Sequence, residues 1–142
     1  TEDCVDVSGQ GGAAAIAAAE AGCAPGSTAD FVENVGDRVF FDYDKFDLKP
    51  QSRATLDKQA AWLKRFPQVR LSVEGHCDER GTREYNLALG ERRANAVKNY
   101  LVNQGIPAAR LVTISYGKER PQVAGANESA WSQNRRGVSI VQ

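Results

Sequence analysis

Val69-Arg70-Leu71-Ser72-Val73-Glu74-Gly75-His76-Cys77-Asp78-Glu79-Arg80-Gly81-Thr82 is the stretch from which the fold is read. Residues 69–75 alternate apolar and polar and end at glycine, the pattern of a half-buried strand. Thr82 suits the N-cap of a helix over 83–104, because its hydroxyl can accept from an otherwise orphaned backbone N–H. Gly105 and then Pro107 stop that helix. A strand that passes through one short polar loop into a long helix is the repeating unit of an α/β fold.

Working outward, Pro50 fits the first position of a helix over 50–66, ended by Pro67. Leu56, Ala60 and Leu63 recur at +4 and +3, one buried face. Residues 38–41 read as a first strand between Gly36 and the acidic turn Asp42-Tyr43-Asp44. Downstream come a strand at 111–116, a loop with Pro121 and Gly125, a short helix near 128–134 and a strand at 137–141. The expected order is β-α-β-α-β-(α)-β, an α/β (α+β) sandwich with the helices packed on one mixed sheet.

Residues 1–30 read differently. This Gly/Ala-rich stretch has Ile16 as its one large apolar anchor before the composition changes near Phe31, too little burial to offset the entropy of ordering. It is expected to be a flexible tether, with 31–142 as the folded domain. Cys4 and Cys23 bracket the tether, and a Cys4–Cys23 disulfide would close easily in an oxidising compartment. Two independent thiols are the alternative. Ala21-Gly22-Cys23 resembles a lipoprotein cleavage site, although Glu20 and the weakly apolar run before it argue against processing there.

Composition excludes several classes. The chain has 142 residues, 42% hydrophobic and 25% charged, ordinary values for one globular domain. Lys+Arg and Asp+Glu both number 18, so the balanced charge gives no electrostatic footprint for nucleic acid. No run approaches the roughly 20 apolar residues that span a bilayer. There is no Met, an initiator included, so a processed product is expected and a lost signal peptide is compatible with the chain.

Arg93 carries the functional reading. On a wheel of about 100° per residue, Leu89, Val97 and Tyr100 fall within about 40° of it and Asn86 within about 20°. It therefore lies in the stripe that should face the sheet, while Glu91, Arg92 and Lys98 point aside. Arginine cannot shed its charge, so an anion is expected to meet it. That anion is either a carboxylate on the neighbouring loop or the carboxylate of a ligand, which a planar guanidinium can grip with two bonds.

The loop after the strand supplies the complement. Ligands favour the carboxyl ends of strands in open α/β sheets, where Asp78 and Arg93 should face one region. A carboxylate beside a guanidinium suits a ligand with both an ammonium and a carboxylate, an amino-acid head group. Catalysis is not expected. His76 and Cys77 are adjacent in extended backbone and point to opposite faces. As the one histidine, His76 is also too little for a zinc site, which normally takes three or four protein ligands. Neither metal nor cofactor is expected, and Cys77 reads as a quiet small side chain.

These residues also carry a resemblance. Gly75-His76-Cys77-Asp78-Glu79-Arg80-Gly81, then Asn86-x-x-Leu89-Gly90-x-x-Arg93-Ala94-x-x-Val97, resembles the signature of the OmpA-like peptidoglycan-binding domain family. Phe41-Asp42-Tyr43-Asp44, 90–97, 115–121 and Asn134-Arg135-Arg136 are similar to its wall-associated lipoprotein branch, and the likeness covers about 36–142. The resemblance implies non-covalent binding of meso-diaminopimelate in an uncrosslinked peptide stem. Asp78 would hold its ammonium and Arg93 its carboxylate, Asp44, Tyr43 and Leu89 would add contacts, and Thr82 and Asn86 would either join them or only cap and brace the helix. It further implies a lipid anchor on the precursor, a place at the periplasmic face of the outer membrane, and the periplasmic propeller protein of the Tol system as partner. Cys77 departs from the threonine or alanine common at its position. Arg135 and Arg136 read as a solvated or ion-paired surface, with contacts to glycan or a partner as the alternative. A motor-stator or porin-linked wall anchor and a peptidoglycan hydrolase are the rival readings.

Overall fold

The computed structural model of the chain describes residues 24–142. The Cys4–Cys23 pairing and nearly all of the expected tether lie outside the described residues. The elements are β1 (Arg38–Phe40), α1 (Pro50–Arg65), β2 (Leu71–His76), α2 (Arg83–Asn103), β3 (Leu111–Gly117), α3 (Glu128–Asn134) and β4 (Arg136–Val141). They match the expected order, with ends displaced by a few residues. In the sheet the strands run β1-β4-β2-β3. β2 and β3 are parallel, and β4 is antiparallel to both β1 and β2.

Alternation in the strands sets the two faces. Leu71 and Val73 of β2 are fully buried and join Leu56, Leu63, Ala94, Val97 and Leu101 of the helices in one core. Phe40, Val112, Ile114 and Ile140 are exposed on the other side of the sheet. Gln59 is one of the polar side chains buried inside. Its amide donates to the Gly36 carbonyl at 2.9 Å and accepts from Ser139 Oγ at 3.0 Å, so both ends are satisfied.

The fold begins before residue 31. Ser27 caps a helical turn, Thr28–Asp30, that continues into Phe31–Val35. Phe31 packs at a tilt against Trp62, whose Nε1 donates to Asp30 at 2.8 Å. Burial pushes the Asp30 carboxyl up, but hydrogen bonds from Asn34, Gly26 and Trp62 outweigh it and hold the group below its ordinary value.

Two glycines bring α2 against the sheet. A Cβ on Gly75 of β2 would stand 1.7 Å from the Gly90 carbonyl oxygen, and one on Gly90 would stand 2.3 Å from Ser115 Oγ. Only bare backbone permits that approach. One helical turn later, Arg93 reaches the end of β2.

Candidate ligand-binding site

Six of the seven residues named from the sequence as ligand contacts line one cleft: Tyr43, Asp44, Asp78, Asn86, Leu89 and Arg93. Three segments build it: the loop after β1, the loop between β2 and α2, and the first three turns of α2. The seventh, Thr82, is outside. Its hydroxyl accepts from Tyr85 N at 3.1 Å and caps α2. Asn86 forms part of the wall while its amide is spent inward, on the carbonyls of Arg80 (2.8 Å) and Thr82 (3.0 Å). It braces the loop.

Arg93 lies where the helical wheel predicts, and of the two anions expected to meet it the loop carboxylate does not. The side chain is 0% exposed, and no carboxylate lies within ion-pair distance of it among the described residues. Instead Nε donates to Lys45 O at 2.8 Å, Nη1 to His76 O at 2.9 Å and Nη2 to Asp42 O at 3.0 Å. Carbonyl dipoles thus stand where an internal carboxylate, one of the two expected anions, would have been. Burial pulls the Arg93 pKa down, and Cys77, Asp78 and Asp44 oppose that pull; the guanidinium keeps its charge, as arginine does in proteins. Of its five N–H bonds, three go to these carbonyls, leaving one on each terminal nitrogen without a carbonyl partner.

Asp78 is 4% exposed and already engaged. Arg80 Nη2 lies 2.8 Å from Oδ2, Arg80 Nε 3.3 Å from Oδ1, and the Arg80 backbone N–H donates to Oδ1 at 3.0 Å. Burial would raise the carboxyl, but the Arg80 bonds and charge, with a hydrogen bond from Arg135, hold it below its ordinary value. Arg80 is itself sandwiched, its guanidinium carbon 3.9 Å from the ring centres of both Tyr43 and Trp131. The cleft consequently holds about 40 Å³ of free space, little more than the share of one water in the liquid.

Arg135 and Arg136 are buried and so are not the exposed surface expected of them, although Arg135 is ion-paired, as one form of that expectation had it. Arg135 ties Phe41 O (2.8 Å), Asp78 Oδ2 (3.4 Å) and Glu128 Oε1 (2.7 Å) together, so it supports the site from below. Arg136 donates to the carbonyls of Asn134 and Arg120. Cys77 matches its expected character. Its buried Sγ donates to Asn86 O at 3.3 Å, and burial pushes the thiol up to about 11, away from nucleophilic use.

Arg80, Tyr85, Trp131 and Arg135 were not anticipated as site residues. Tyr85 was within reach, since it lies four residues before Leu89 on one helix face; its hydroxyl donates to Asp44, whose φ of 57° is rare for a non-glycine residue. Trp131 carries no sequence signal, because it arrives from α3, far along the chain.

Comparison with known proteins follows the same lines. The OmpA family model matches residues 40–135. A peptidoglycan-associated lipoprotein of Rhizobium meliloti is 56% identical over 117 residues, covering 82% of this chain and 66% of that protein. The crystal structure of the peptidoglycan-associated lipoprotein from Burkholderia pseudomallei superposes with a TM-score of 0.73 at 42% identity, covering 75% of this chain and 90% of that one. The C-terminal domain of Helicobacter pylori MotB shares the fold alone, with a TM-score of 0.69 at 19% identity over 75% of this chain and 84% of that one. With the match spanning both loops of the cleft and the helix α2 that follows them, this chain belongs to the OmpA family.

Proposed function

We propose that this domain binds peptidoglycan without catalysis, taking the zwitterionic end of meso-diaminopimelate in a peptide stem. One observation carries the reading: a buried guanidinium and a buried carboxylate line the same cleft. Asp78 receives the ligand ammonium, and Arg93 donates to its carboxylate. Leu89 packs against the aliphatic chain, and Tyr43 and Asp44 close the loop side. In 40 Å³ the ligand does not fit, so Arg80 swings off Asp78 as the ammonium arrives.

The names of its relatives support peptidoglycan as the target and a lipoprotein as the setting. In that setting the domain tethers the outer membrane to the wall from the periplasmic side, held by a lipid anchor on the precursor. The periplasmic propeller protein of the Tol system is its partner, competing for the same surface. High identity to the lipoproteins favours this role over that of a stator or porin-linked anchor.

Calorimetric titration with muropeptides containing either meso-diaminopimelate or lysine tests the reading. Lysine lacks the second carboxylate, so its muropeptide should bind far more weakly. Equal affinity for the two would overturn it.

A further inference from the structure

Beside the cleft, between α1 and α2, runs a larger open groove of about 670 Å³ lined by Phe46, Leu48, Arg53, Arg92, Asn95 and Tyr100, among others. Loop 42–48 is the shared wall: Tyr43 and Asp44 face the cleft, and Phe46, Asp47 and Leu48 face the groove. That wall is held in place by the Arg93 bonds to Asp42 and Lys45. From Leu89 in the cleft to Arg92 in the groove is about 5 Å of helix rise, a distance that one or two residues of extended peptide span.

Charge says what the groove suits. Arg53 and Arg92 both line it, both are exposed, and neither forms an ion pair among the described residues. Arg53 makes one bond, to Leu48 O at 3.3 Å, which leaves most of its donors free. Asp47 is the one carboxylate in the lining. Asn95 adds amide donors and acceptors, and Phe46, 44% exposed, adds an apolar surface.

We propose that this groove is a second subsite, taking the part of the stem that precedes diaminopimelate, with Arg53 and Arg92 receiving the free α-carboxylate of the γ-linked glutamyl residue. The proposal rests on the wall-binding reading above. Diaminopimelate in the cleft puts that carboxylate one residue away, within the reach of the groove. The subsite makes binding sensitive to amidation of the stem, since a carboxamide carries no charge for the two arginines.

The test uses the whole chain and three probes: free meso-diaminopimelate, a disaccharide tripeptide with the glutamyl carboxylate free, and the same tripeptide amidated. The wild-type chain should prefer the free carboxylate roughly tenfold, the scale of one charge-assisted contact. The double substitution Arg53→Ala, Arg92→Ala should abolish that preference while leaving nuclear magnetic resonance shifts induced by free meso-diaminopimelate, and the melting temperature, unchanged. No preference in the wild type, or its survival in the double variant, overturns the subsite. Failure of diaminopimelate to perturb the cleft residues would instead overturn the parent reading.

Discussion

Gly75 and Gly90 meet backbone to backbone, so close that a Cβ on Gly75 would lie 1.7 Å from the Gly90 carbonyl oxygen. This contact sets the distance between β2 and α2, and so determines whether Arg93 reaches His76 O. Gly75→Ala or Gly90→Ala should therefore destabilise the domain by about 3 kcal/mol, the upper range for forcing atoms into a packed interior. Urea unfolding is the measurement, and the midpoint should fall at constant slope.

Arg93 holds structure as well as ligand. Arg93→Met strips three carbonyls of their donor, and a buried polar group left unsatisfied costs about 1–3 kcal/mol. A loss of about 3 kcal/mol or more is expected in thermal or urea unfolding. Asp78→Asn keeps the shape and should reduce diaminopimelate affinity with a smaller loss of stability. The ratio of the two effects separates gripping a ligand from bracing the loop.

Arg80 and the ligand ammonium compete for one carboxylate. Arg80→Gln removes the occupant of Asp78, so muropeptide affinity should rise a few-fold, mainly through faster association. Stopped-flow kinetics read this directly, and a fall in the association rate would mean that Arg80 recruits the ligand.

Acid should weaken the fold in two stages. Burial lowers the His76 pKa; Arg136 and Arg120 add to that, and Glu74 opposes it. A free histidine titrates near 6.5, so below about pH 6.5 the unfolded chain binds more protons than the folded one. Stability is complete above that pH and is lost as pH falls toward the folded value. Asp30 and Asp78, both held low, extend the loss below about pH 4. Melting temperature against pH should show both limbs, and His76→Gln should flatten only the upper one.

Cys77 should resist alkylation in the native state. With its thiol pushed to about 11, very little thiolate exists at pH 8. In a Cys4→Ser, Cys23→Ser background, labelling should track unfolding in denaturant and not reagent concentration.

Much of this was legible because periodicity is local. Alternation at 69–75 marks β2 within two residues, and Leu89-x-x-x-Arg93-x-x-x-Val97 puts an arginine on the inward face whatever else the chain does. Asp78, in the loop joining those elements, needed no tertiary information to be set beside it. What lies opposite Arg93 is another matter. Its carbonyl partners come from loop 42–48 as well as from β2, and Arg80 is pinned by Trp131 from α3. Those meetings follow from β4 inserting between β1 and β2, an arrangement that no spacing of residues records. The sequence by itself determined which side chains turn inward, since each helix and strand writes its own repeat. Only the tertiary structure decided what they touch, since contact between distant segments depends on strand order and on how closely two bare glycines let a helix approach a sheet.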